Sequence, residues 1–125
     1  MKKAFLLFLF ITFVSVKTEA QTPGERMRSL EIGYLTKELR LTPEEAEKFW
    51  PVYNKYKQEY RALPNTDDEL ERQQQVLNIR KKYKKNFTEI LDEKRAQTVY
   101  DAEDKLKTMV RKELENRRNR QKFRE

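Results

Sequence analysis

The residues that usually carry enzyme chemistry are nearly absent from this chain of 125 residues. It has no histidine and no cysteine, and beyond residue 20 its single serine is Ser29. A Ser–His or Cys–His nucleophile with its base therefore cannot be assembled. Zinc, copper and haem sites draw on the same missing donors, and the two glycines form no phosphate-cradling loop. No metal, cofactor or catalytic residue is expected, and the chain is read as a non-enzyme. Carboxylates are plentiful, but Asp67, Asp68, Glu69 and Glu71 cluster where a helix should start, and there they favour the macrodipole. Acid–base work by Asp, Glu, Lys and Tyr alone stays conceivable, with nothing in the spacing to favour it.

What the chain does offer is aromatic and cationic. Phe49, Trp50, Tyr53 and Tyr56 recur at three- and four-residue steps, and Arg80, Lys81, Lys84 and Lys85 crowd one short stretch. Amphipathic rings give contact area without demanding a fixed partner shape, and cations steer partners from a distance. Two readings compete for each group. An aromatic stripe at helical spacing also describes a buried core, and a lysine run also describes a solvated helix face.

The elements that must position these residues are helical. From Glu25 onward nearly every residue is a good helix former, so the breaks decide the architecture. Met27, Leu30, Tyr34, Leu35 and Leu39 step by three and four, which predicts a first helix over residues 25–40, weakened by Gly33. Thr42-Pro43-Glu44-Glu45 is a capping box with proline at the first helical position, so a second helix starts at Thr42. It carries the aromatic stripe to Leu63-Pro64, with Pro51 inside it and a bend expected over residues 47–50. Thr66 with Glu69 repeats the capping spacing and opens a third helix, whose Ile79, Tyr83, Phe87 and Ile90 share one face. At Leu91-Asp92, either Asp92 caps a fourth helix or it sits on the surface of a continuous third one. Ala96, Val99, Ala102, Leu106, Val110 and Leu114 extend the apolar pattern. Beyond Leu114 it stops, and residues 115–125 form a basic tail expected to be a helix extension that frays. The fold expected for residues 21–114 is all-α, four helical segments arranged as long antiparallel hairpins.

The start of the chain predicts a compartment. Lys2 and Lys3 precede an apolar run over residues 4–16 that ends at Lys17 and Glu19, too short to span a membrane and suited to a signal peptide. Thr18 and Ala20 place small residues before an expected cleavage between Ala20 and Gln21. With no cysteine for lipid attachment, no stable membrane insertion is expected after cleavage, and a Gram-negative periplasm is the expected destination. Residues 1–20 carry three cations and one acid, so their removal takes the net charge of +7 to +5 on 105 residues. Only 20 of those 105 are Leu, Ile, Val or Phe, close to the fraction below which chains stay unfolded. So thin a core, with no disulfides to help, suggests an elongated hairpin or a homodimer that shares apolar surface.

Leu-Thr-Pro-Glu-Glu at residues 41–45, followed by Leu-Asp-Glu-Lys-Arg at residues 91–95, resembles the paired L-T-x-x-Q motif of the Spy/CpxP family. The matching positions are Leu41, Thr42 and Glu45, then Leu91, Asp92 and Arg95. Glu45 and Arg95 each replace the glutamine, and Asp92 replaces the threonine, while both Thr42 and Asp92 keep the capacity to cap. The resemblance implies a small periplasmic helical protein that forms cradle-shaped antiparallel dimers. It also implies an ATP-independent chaperone or envelope-stress accessory protein. The histidines of zinc-responsive relatives are missing here, so metal binding is not carried over. The expected partners are unfolded or misfolded envelope proteins, met by the basic surface and by Phe49, Trp50, Tyr53 and Tyr56. The alternative is a regulatory role, docking on the periplasmic domain of a membrane stress-sensing protein. The export signal argues against nucleic acid, which the basic charge alone would suggest.

Overall fold

Proline-led helix starts need a side-chain acceptor for the first free N–H groups, and this chain supplies one twice. The computed structural model describes residues 19–124, which leaves the expected export signal outside the described residues except for Glu19 and Ala20. Four helices follow in order: α1 (Pro23–Glu38), α2 (Pro43–Arg61), α3 (Glu69–Ile90) and α4 (Glu93–Lys122). Among the described residues there is no strand, and the fold is all-α. Thr22 caps α1 and Thr42 caps α2, each in a reciprocal box with Glu25 or Glu45. The first helix therefore starts two residues earlier than its apolar spacing indicates.

The remaining boundaries follow local chemistry. The cap of α3 is Asp68 and not Thr66: the Asp68 carboxylate accepts from the Leu70 and Glu71 N–H groups at 2.9 and 3.2 Å. Thr66 lies two residues upstream, accepting from the Asp68 N–H and donating to Glu71. Asp92 does cap a separate α4, accepting from the Arg95 N–H at 2.8 Å. α2 runs on through Pro51. The missing N–H leaves the Glu47 carbonyl without its usual donor, and both residues are exposed, so water can serve that carbonyl. The polar end expected to fray beyond Leu114 is helical as far as Lys122.

α1 ends in a Schellman arrangement, with Leu41 N–H donating to the Thr36 carbonyl at 3.1 Å and Arg40 N–H to Lys37 at 3.2 Å. Arg40 sits there at φ 50°, in the left-handed region where glycine is usual.

The core is aromatic. Phe49, Tyr53 and Tyr56 of α2, Ile79, Tyr83 and Phe87 of α3, and Val99, Tyr100 and Leu106 of α4 are all buried. α1 adds Leu35, with Leu39 just past its end. The rings meet edge to face and obliquely, Phe49 with Phe87 at 5.4 Å, Tyr56 with Tyr83 at 5.6 Å and Tyr56 with Tyr100 at 6.0 Å between centroids. Such pairs add about 0.5–1.5 kcal/mol each beyond area burial, which is how a chain poor in aliphatic residues sustains a core. Contacts of Phe49 with Phe87 and of Glu59 with Lys82 make α2 and α3 antiparallel. Arg80 with Asp104 does the same for α3 and α4, and α2 lies parallel to α4, with Glu45 by Arg95 and Tyr60 by Lys107.

Candidate functional site

Glu45 and Arg95, the two positions where the paired motif departs from glutamine, meet in space. Arg95 closes a fork on the Glu45 carboxylate, Nη1 donating to Oε1 at 3.0 Å and Nη2 to Oε2 at 2.7 Å. Its Nε donates to Asp92 at 2.7 Å, and the two Nη atoms reach the Leu39 and Leu91 carbonyls at 3.4 and 3.1 Å. A planar guanidinium suits this geometry as a lysine would not. Hydrogen bonds from Arg95, and then from the Thr42 N–H, hold the Glu45 carboxyl far below its ordinary range, at about 2. The same arginine lowers Asp92 and is itself raised by Glu45 and Asp92. Leu41 and Leu91 pack against the core beside this knot. The six motif residues thus form one latch that joins the starts of α2 and α4 to the end of α1.

A second polar knot was not legible from spacing. Glu103 is 2% exposed, and its carboxylate accepts from Tyr53 and Tyr56 hydroxyls at 3.0 and 2.8 Å and from Arg80 at 3.2 Å. Lys57 and Lys107 approach it at 3.7 and 3.8 Å. Burial first, and the Glu103 charge next, raise the Tyr53 and Tyr56 hydroxyls, with Arg80 opposing at Tyr56. Both phenols stay protonated and donate. The carboxylate oxygens accept from donors on α2 and α3, so the group ties three helices together. One signal for it existed: Glu103 occupies the same stripe as Val99, Leu106 and Val110, the one charged residue in that register.

The structure separates the residues expected to touch clients. Phe49, Tyr53 and Tyr56 are buried in the core, so they present no contact surface; their spacing reflected packing. Trp50 is half-buried against the same cluster. Arg80 is not a free cation either, because Asp104 and Glu103 hold its guanidinium and burial covers much of it. Lys81, Lys84 and Lys85 do face solvent.

The surface that remains lies elsewhere. Met27 and Leu30 of α1 and Leu106, Met109, Val110 and Leu114 of α4 line an open, mainly apolar groove, together with Glu113 and Arg117. Leu30, Met109 and Leu114 are each about half exposed, at 50, 49 and 55%. On the other side of Met27 a second cleft is lined by Arg28, Lys57, Arg61 and Lys107, with Glu31 as its acid. Sequence reading used Met27 and Leu30 only to place the first amphipathic helix, since helical spacing alone does not say whether an opposing helix covers the stripe.

No protein-family model, curated protein or solved structure matches the chain.

Proposed function

We propose that this chain is a periplasmic, ATP-independent holdase-type chaperone or envelope-stress accessory protein, which binds partly unfolded envelope proteins by surface contact alone. The observation that carries the reading is the uncovered groove of Met27, Leu30, Met109 and Leu114 beside the cations of the neighbouring cleft. Grouped apolar side chains on a surface mark a place for another apolar surface. Methionine adapts to partners of different shape, while the cations raise encounter rates in a salt-dependent way. The Spy/CpxP resemblance in the helix-start motifs points in the same direction. A homodimer that covers part of the groove belongs to the same reading.

The test is suppression of aggregation. The chain is expected to slow precipitation of a denatured client at stoichiometric amounts, more in low salt than in high. Leu30→Ser with Met109→Ser is expected to remove most of that effect while lowering the melting temperature by only a few degrees, because both side chains are already about half exposed. Light scattering at the assay concentration reports whether self-association covers the groove. A wild-type chain that leaves client aggregation untouched at both salts sinks the chaperone reading.

A further inference from the structure

The positive charge of the folded part is not spread over it. Residues 19–110 contain eighteen Lys or Arg and eighteen Asp or Glu, so they are balanced, whereas residues 111–124 contain seven and two. The whole excess of five therefore sits on the last turns of α4. Every residue from 111 to 124 is exposed. The ion pairs made there stay within the helix, Arg117 and Arg120 sharing Glu113 at 2.8 and 3.3 Å. Arg111, Lys112 and Arg118 have no acidic partner among the described residues. At about 1.5 Å per residue this stretch extends close to 20 Å; Leu114 and Arg117 still line the groove with Met27 and Leu30 of α1, and none of the residues from 118 on does. At its tip Phe123 is 91% exposed, set between Lys122 and Arg124.

We propose that this projecting end of α4 is an arm that docks on an anionic lipid surface. Concentrating like charges on one slender helix is unfavourable in isolation and is relieved by a surface of opposite sign. The choice of lipid over a nucleic-acid duplex rests on Phe123. A phosphate backbone offers an aromatic ring nothing, while the headgroup boundary of a bilayer accepts the ring as the arginine and lysine stems reach up to the phosphates. The association is peripheral: among the described residues no helix is long and apolar enough to cross a membrane. Helicity matters because it presents Phe123 and the cations together at fixed spacing. The inference stands apart from the chaperone reading, which concerns the groove.

Residues 1–18 include an apolar run that would partition into lipid by itself, so the measurement uses the chain from Glu19, which holds all four helices. Co-sedimentation is carried out with vesicles of phosphatidylcholine alone and of phosphatidylcholine mixed with phosphatidylglycerol. Binding is expected to the mixed vesicles only, weakening as salt screens the charges. Arg118→Gln, Arg120→Gln and Lys122→Gln together, none of which lines the groove, are expected to lower partitioning on the order of a hundredfold, and Phe123→Ser to lower it several-fold at unchanged charge. Circular dichroism melting of both variants should match the parent, since these side chains are exposed and make no hydrogen bond or ion pair outside their own helix. Equal binding to the two vesicle types, indifference to the triple substitution or to Phe123→Ser, or tighter binding to a DNA duplex at the same salt would each overturn the proposal.

Discussion

Glu45 serves two helices at once: its carboxylate closes the capping box on the Thr42 N–H and receives the Arg95 fork from α4. Each bond favours the charged form, which is why its acidity rises so far above that of an ordinary glutamate. The folded group titrates near 2 against an ordinary 4.5, so the carboxyl is depressed by folding. Its contribution is present in full above about pH 4.5 and is lost as pH falls from there towards 2. Glu45→Gln keeps the shape and removes the titration. The variant is expected to melt lower than wild type at pH 7, and the gap should narrow steadily between pH 4.5 and 2. Asp92, Glu59 and Asp104 are also depressed, chiefly by Arg95, Lys82 and Arg80, so the difference between the two proteins is the quantity to follow. A gap of constant size down to pH 2 would show that the fork adds nothing. The capping half of Glu45 was legible in the sequence because caps are local. The Arg95 half spans fifty positions and needed the parallel placement of α2 and α4. Complementary charge at matched motif positions was the clue. Glu103 was harder to see, because a carboxylate in an apolar register reads as an interruption until its tyrosine donors are placed.

Helix starts were more legible than helix ends. Thr42 and Asp92 announced themselves, and Thr22-Pro23-Gly24-Glu25 carries the signature of Thr42-Pro43-Glu44-Glu45, which apolar spacing alone passes over. Thr66 misled because Asp68, nearer the helix, accepts from two backbone N–H groups at once. The end of α1, expected at residue 40 and found at Glu38, carried no capping signal of its own, since arginine is an unusual choice for a left-handed position. Two substitutions in this region have opposite logic and the same expected sign. Gly33 lies within α1 with nothing within 4 Å of an added Cβ. Gly33→Ala should therefore stabilise by about 0.5–1 kcal/mol, through the lower entropy of the unfolded chain. Arg40→Gly should stabilise by a similar amount, about 1 kcal/mol, by removing the Cβ strain of φ 50°. Each should raise the thermal midpoint by several degrees, and the double variant should show nearly the sum, as the sites share no contact. A fall in midpoint for Arg40→Gly would mean that the arginine side chain contributes more than its backbone costs.

At the level of the whole molecule, net charge proved a poor guide to where the charge acts. A chain at +7 suggests a basic surface, yet residues 19–110 are balanced and the excess belongs to one end of α4. Of the two readings open for the aromatic stripe, packing is the one the structure shows for Phe49, Tyr53 and Tyr56, whose rings fill a core that the few aliphatic residues could not. Fold and arm are thereby separable, and truncation tests the separation. Ending the chain after Leu114 keeps every apolar residue of the groove, takes away Arg117 from its lining, and removes five cations and two acids, leaving one net positive charge on the chain from Glu19. Because residues 115–124 are exposed and make no hydrogen bond or ion pair to α1, α2 or α3, stability should change by no more than about 0.5 kcal/mol, or about 4 °C in midpoint for a domain of this size. Aggregation suppression through Met27, Leu30, Met109 and Leu114 should persist and keep its dependence on salt, because the cleft cations Arg28, Lys57, Arg61 and Lys107 remain. A truncated chain that unfolds would mean that the end of α4 supports the bundle through contacts made in a dimer. One that folds but no longer protects a client would move the working surface from the groove to the arm.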